Sequence, residues 1–197
     1  MESPRAFSHL AAAALVLLLA LFLLAPGGPV PHAEEVKLDA PYYPTPQAIV
    51  DKMLDIAEVK EGDYVIDLGS GDGRIPITAA KRYGTKGMGV DINPVRVQEA
   101  KANAVNARVQ DKVEFKQQNL FETDISKATV LTLYLMPRVN MELRPRILAE
   151  LKPGTRVVSH AFDMGDWKPD RKVIVEGRTI YMWVVPEKSQ RQSNKGG

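Results

Sequence analysis

Two acids and a run of glycines are the residues of this chain best suited to chemistry. Asp67 precedes Gly69, Gly71 and Gly73, which alternate with Ser70 and Asp72, and Asp91 follows 24 residues after Asp67. Glycines let the backbone turn tightly and let a ligand approach where a β-carbon would stand in the way. An acid ending the next strand can accept both hydroxyls of a ribose. The loop is not a dinucleotide fingerprint. That pattern, G-x-G-x-x-G, wants glycine at position 74, where this chain has Arg74, and the third glycine arrives one residue early. Asp67 would repel a pyrophosphate but suits a ligand with a cationic amine. The combination points to a nucleoside with a positively charged end.

A strand, a tight turn and a helix must carry these residues. Val65, Ile66 and Leu68 make Tyr64–Leu68 a buried strand, and a helical pattern runs over Arg74–Tyr83 to Gly84. A second strand, Gly87–Val90, finishes on Asp91, and Pro94 opens a helix to about Ala107. Further strands are expected at Val113–Gln117, Thr129–Leu135 and Arg156–His160, with a helix over Val139–Leu151 despite Pro145. Val173–Glu176 and Thr179–Val185 flank Gly177-Arg178 and read as an antiparallel pair. Upstream, Thr45 or Pro46 opens a helix to about Glu58, after the extended segment Pro41–Pro46. Strands alternating with helices predict an α/β fold with a mainly parallel sheet covered on both faces. Ligands of such sheets bind beyond the carboxyl ends of the strands.

Other residues admit two readings. Asp91 either holds a ribose or caps the helix opened by Pro94, for which Asn93 is the better cap. Tyr134 ends the fourth strand as core packing or as a site wall. His160 is a satisfied strand-end histidine or a proton acceptor of near-neutral pKa. Tyr134 and His160 are the candidate catalytic side chains. Trp167 is a core plug or the wall of an aliphatic channel. The chain has no cysteine, and its other histidines are His9 and His32, so no cysteine or histidine metal cluster is expected. A net charge of +2 over 197 residues is too weak to argue for nucleic-acid binding.

Residues 1–33 read as a leader. Arg5 precedes an apolar run of 16 residues, Leu10–Ala25, followed by PGGPVPHA. This is a membrane anchor or a signal peptide cleaved after Ala33. The acids Glu34, Glu35 and Asp39 beyond it place the body outside the cytoplasm by the positive-inside tendency. Residues 34–186 would form one domain, and 187–197 a polar, disordered tail.

The pattern D-x-G-x-G-x-G over Asp67–Gly73 resembles motif I of the class I S-adenosylmethionine-dependent methyltransferases. PYYPTP, DLGSGDGR, the L-x-P step after the fourth strand and F-D-x-G-D-W-x-P-D over Phe162–Asp170 narrow the likeness. Together they resemble small membrane-associated protein-lysine methyltransferases and their bacterial relatives. The resemblance implies a Rossmann-like, seven-stranded sheet with a C-terminal antiparallel pair, S-adenosyl-L-methionine as cofactor, and a membrane-associated protein acceptor. It implies neither a metal nor a nucleic-acid partner. Within it, Asp67 meets the methionine amine, Gly69–Gly73 admit the cofactor, and Asp91 holds its ribose. Asn119 stands where an acid commonly meets the adenine, or simply favours a turn, and Ile92 and Leu120 wall the ring. Tyr43 and Thr45 become cofactor contacts. An acceptor on a lipid or small molecule, and a non-catalytic nucleoside-binding module, are the alternatives. A cytoplasmic cofactor sits awkwardly with an exported body.

Overall fold

The computed structural model describes residues 42–187. The leader and, beyond Glu187, the tail expected from the sequence lie outside these residues. The chain runs α1 (Gln47–Ile56), β1 (Tyr64–Leu68), α2 (Arg74–Tyr83), β2 (Lys86–Asp91), α3 (Pro94–Asn106) and β3 (Val113–Gln117). It continues with β4 (Val130–Leu133), α4 (Pro137–Glu150), β5 (Arg156–His160), β6 (Arg171–Val175) and β7 (Arg178–Val184). Seven strands form one sheet in the order β3-β2-β1-β4-β5-β7-β6. The first five are parallel, and β7 inserts antiparallel between β5 and β6. This is the mixed sheet the sequence led us to expect.

β4 is central because it is apolar on both faces. All four of its residues are buried, with Leu131 and Leu133 packing toward α4 and Val130 toward α1. Two apolar layers result. One joins Ile66, Leu68, Val157 and Trp183 to Val139, Leu143 and Ile147 of α4, and the other joins Val65 and Val158 to Ile49, Val50 and Met53 of α1. Trp167, half of whose alternatives was a channel wall, is a core residue: it lies beside Trp183, whose Nε1 donates to its carbonyl at 2.7 Å.

The element boundaries differ from the sequence reading in ways the local chemistry explains. α4 begins at Pro137, two residues early, because a proline at the first helical position is already set to a helical φ. Pro145 stays inside it because it is exposed, so the backbone acceptor it frees faces solvent. Between β3 and β4 there is one 3-10 turn, Leu120–Glu122, in place of a helix. At the sheet's base Asp63 and Arg156 tie β1 to β5, with Arg156 Nη2 donating to Asp63 Oδ2 at 2.6 Å.

Candidate active site

The order β3-β2-β1-β4-β5 reverses direction between β1 and β4, and a cleft opens above that point. Register places its residues. Asp67 stands opposite Thr132, and Leu133 opposite Ser159, so one step further along Tyr134 meets His160. Thr132 Oγ1 donates to Asp67 Oδ1 at 2.7 Å, and both residues are buried. Burial pushes the Asp67 carboxyl up to about 7; the Thr132 hydrogen bond opposes this, and the charges of Asp72 and Asp91 add to it. A cationic amine at this spot would restore the carboxylate.

The glycine loop is fastened to β2 by backbone and by one side chain. Gly69 N and Ser70 N both donate to Val90 O, at 2.9 and 2.8 Å. Asp91 then holds the loop through its side chain: Oδ2 accepts from Gly71 N and Oδ1 from Asn93 N, each at 2.9 Å. Each carboxylate oxygen retains a second lone pair for a ribose hydroxyl. Capping of α3 falls to Asn93, whose side chain accepts from Val95 N at 2.9 Å.

A strap, Tyr42–Thr45, crosses the loop. Gly71, at φ 52°, has no room for a β-carbon, which would lie 2.5 Å from Cε2 of Tyr42. The Arg96 guanidinium lies 4.5 Å from the centroid of the same ring. Arg74 Nη1 donates to Thr45 O at 2.8 Å while its Nε donates to Asp72 Oδ1 at 2.9 Å. The residue that broke the dinucleotide fingerprint therefore pins the strap. The sequence reading missed Tyr42, Asp72, Arg74 and Arg96 as site residues, although PYYPTP and the anomalous arginine were the available signals.

Of the expected residues, Tyr43, Thr45, Asp67, Gly69, Ser70, Gly71, Asp91, Ile92, Asn119, Leu120 and Tyr134 line the cleft. Two do not. Gly73 is the N-cap of α2 at φ 78°, and the space a β-carbon would take is filled by the Phe115 ring at 2.5 Å, so it admits protein rather than ligand. His160 lies behind Tyr134, ring centroids 3.9 Å apart, and is 1% exposed. Burial, assisted by the charge of Arg178, lowers its pKa to about 4, which removes the near-neutral proton acceptor read from the sequence. Asn119 faces the cleft with its oxygen already accepting from Phe121 N at 2.9 Å, which caps the 3-10 turn. No group of three or more possible metal ligands occurs among the described residues.

The donor set fits a sulfonium nucleoside. Three carboxylates (Asp67, Asp72 and Asp91) share the cleft with the apolar side chains of Ile75, Val90, Ile92, Leu120 and Leu135. The acids suit a cationic amine and a ribose diol, and the apolar group suits a purine. A pyrophosphate would meet Asp67 and Asp91, while Arg74 is already paired with Asp72.

Residues 67–171 match the family model of the ANTKMT methyltransferase domain. The chain is 46% identical over 163 residues to a protein-lysine N-methyltransferase of Saccharolobus islandicus, covering 80% of this chain and 97% of that protein. It is 33% identical over 135 residues to the adenine nucleotide translocase lysine N-methyltransferase of Mus musculus, covering 68% of this chain but only 58% of the mouse protein. Its fold matches the crystal structure of an RNA methyltransferase from Salinibacter ruber in complex with S-adenosyl-L-homocysteine. That match has a TM-score of 0.73 and 56% identity, over 74% of this chain and 95% of the other.

Proposed function

From the premise that this chain belongs to the ANTKMT methyltransferase family and is an S-adenosylmethionine-dependent enzyme, we propose that it N-methylates a lysine side chain of a protein. One observation carries the choice of acceptor: a protein-lysine N-methyltransferase is 46% identical to this chain over 97% of its own length. The cleft is compatible with it, since Asp67 and Asp91 serve the cofactor and the remaining wall, Tyr134 and Leu135, carries no charge that would hold an amine in its protonated form.

The cofactor supplies an electrophilic methyl group on a sulfonium. An acceptor amine must be neutral, so that its lone pair can form the N–C bond as the methyl C–S bond breaks, and the nitrogen then releases a proton. The chain's part is positioning and exclusion of water. Asp67 and Asp91 orient the two ends of the cofactor, the strap covers it, and Tyr134 with Leu135 forms the acceptor-side wall. That apolar wall favours the neutral amine. His160 lies outside the cleft and is not placed to take a proton from the acceptor.

A second reading, methylation of RNA, is favoured by the likeness to the Salinibacter ruber RNA methyltransferase. A lipid or small-molecule acceptor is the third arm of the same test. Methyl-labelled S-adenosylmethionine is incubated with the full chain and, separately, with a membrane protein fraction, total RNA and extracted lipid. Label on lysine, located by mass spectrometry of peptides, is the expected result. Label confined to RNA or lipid overturns the lysine reading.

The apolar run Leu10–Ala25 supports a membrane-proximal location as part of the same proposal. No helix among the described residues is long and apolar enough to cross a membrane. Fractionation of cells expressing the full chain tests this: recovery of all protein in the soluble fraction with residues 1–33 still attached sinks it.

A further inference from the structure

His160 is buried, lies outside the cleft and has no part in the chemistry proposed above, yet it touches two walls of that cleft. Its Nδ1 lies 3.3 Å from Thr45 Oγ1, at the end of the strap. Its ring packs on Tyr134 at 3.9 Å between centroids, tilted by 32°. Thr45 is 4% exposed and His160 1%, so the hydrogen bond is shielded from water.

The chain makes this contact at some cost. Directly after His160, Ala161 takes φ 68°, a left-handed conformation that a residue with a β-carbon adopts only under strain. Ala161 N donates to Thr179 O at 2.8 Å and Phe162 N to His160 O at 2.9 Å, which folds the chain back. Phe162 thereby stacks on Tyr134 at 6.5 Å. Asn140 of α4 secures this turn from below, with its Nδ2 donating to Ser159 Oγ at 3.1 Å and Phe162 O at 3.3 Å. Tyr134 is thus fixed by His160 and Phe162, and His160 alone of the two also reaches the strap.

We infer that His160 is a positioning residue that registers the strap with the acceptor-side wall, so that closure of Tyr42–Thr45 over the cofactor and orientation of Tyr134 occur together. The assignment of Tyr134 to the acceptor side rests on the methyltransferase reading above. A ring that stays neutral serves this role. Thr45, Tyr134 and Arg178 are its hydrogen-bonding, stacking and charged neighbours, and a protonated ring would be repelled by Arg178. Asparagine can place an amide where Nδ1 now sits, whereas phenylalanine can keep the stack without the hydrogen bond.

The test uses the full chain and S-adenosylhomocysteine, with no acceptor present. Hydrogen–deuterium exchange is followed at the amides of Tyr43 and Thr45 and of residues 133–136, and affinity by calorimetry. In the unaltered protein the ligand should slow exchange in both segments together. Thr45→Val and His160→Phe should each weaken binding about 5- to 10-fold, the scale of one neutral hydrogen bond, and uncouple the two segments. The double variant should bind no worse than either single one. His160→Asn should recover affinity relative to His160→Phe. A residue that merely filled space would show the opposite order, since phenylalanine keeps a planar ring against Tyr134 and asparagine does not. Additive losses, or protection of both segments in Thr45→Val, overturn the inference, and that variant decides the matter even where His160→Phe fails to fold. Failure of the lysine reading looks different: coupled protection stays intact while no label reaches protein.

Discussion

Tyr42 rests on Gly71 so closely that a β-carbon at position 71 would come within 2.5 Å of its ring. The glycine thus serves the strap at least as much as the ligand. Gly71→Ala meets this clash and also a left-handed φ of 52°, which costs about 1–2 kcal/mol by itself. The expected outcome is a melting temperature lower by several degrees and a cofactor affinity at least tenfold weaker. Pairing it with Tyr42→Ala should recover part of the stability, because only the backbone strain then remains. No recovery in a thermal melt would mean that the ring contact is immaterial.

Asp67 links cofactor binding to protons. Its carboxyl is pushed up to about 7 by burial, against an ordinary value of 3.8, while Thr132 holds one oxygen and Asp72 and Asp91 add repulsion. A folded-state value above the unfolded one favours the protonated native form. The stability it contributes is therefore fully present below pH 4 and lost as pH rises through about 7. In the cofactor-free protein, the wild-type minus Asp67→Asn difference in unfolding free energy should fall across that window. Cofactor binding at pH 6.5 should release a proton, visible as a buffer-dependent calorimetric enthalpy. An enthalpy independent of buffer would refute the linkage.

Asp91 has two duties, and two substitutions separate them. Asp91→Asn leaves an oxygen for one backbone donor but loses the charge and one acceptor for the ribose. Asp91→Ala also releases Gly71 N and Asn93 N. Asparagine should weaken S-adenosylhomocysteine binding at least tenfold with a small change in melting temperature, and alanine should in addition destabilise by about 1–3 kcal/mol. Unchanged affinity in Asp91→Asn would remove the ribose assignment.

The pair at the foot of the sheet is structural. Burial would raise the Asp63 carboxyl, but hydrogen bonds from Thr129, the Lys60 amide and Arg156, with the charge of Arg156, lower it below its ordinary value. Its contribution is present above the unfolded value of 3.8 and lost as pH falls through the lower folded value. Asp63→Asn should cost about 3 kcal/mol at neutral pH by leaving Arg156 unpaired. Adding Arg156→Met should cost less than the sum of the two. Urea unfolding of the four proteins measures the coupling, and strict additivity would contradict it.

The sequence by itself determined the parallel sheet, the glycine loop and the acids at the ends of β1 and β2. These rest on local rules: strand periodicity, glycine at turns, and an acid one strand beyond. Chain order then ties Asp67, Gly69–Gly71 and Asp91 to one sheet edge, because right-handed crossovers leave few other arrangements. The roles of Arg74, Tyr42, Gly73 and His160 were not legible in this way. Each depends on what lies across a gap of tens of residues: Thr45 for Arg74, Gly71 for Tyr42, Phe115 for Gly73. His160 shows the reason most plainly. Its type and its place at a strand end left a satisfied histidine and a base both open, and burial behind Tyr134 and beside Thr45, a property of the packed structure that lowers its pKa to about 4, is what separates them.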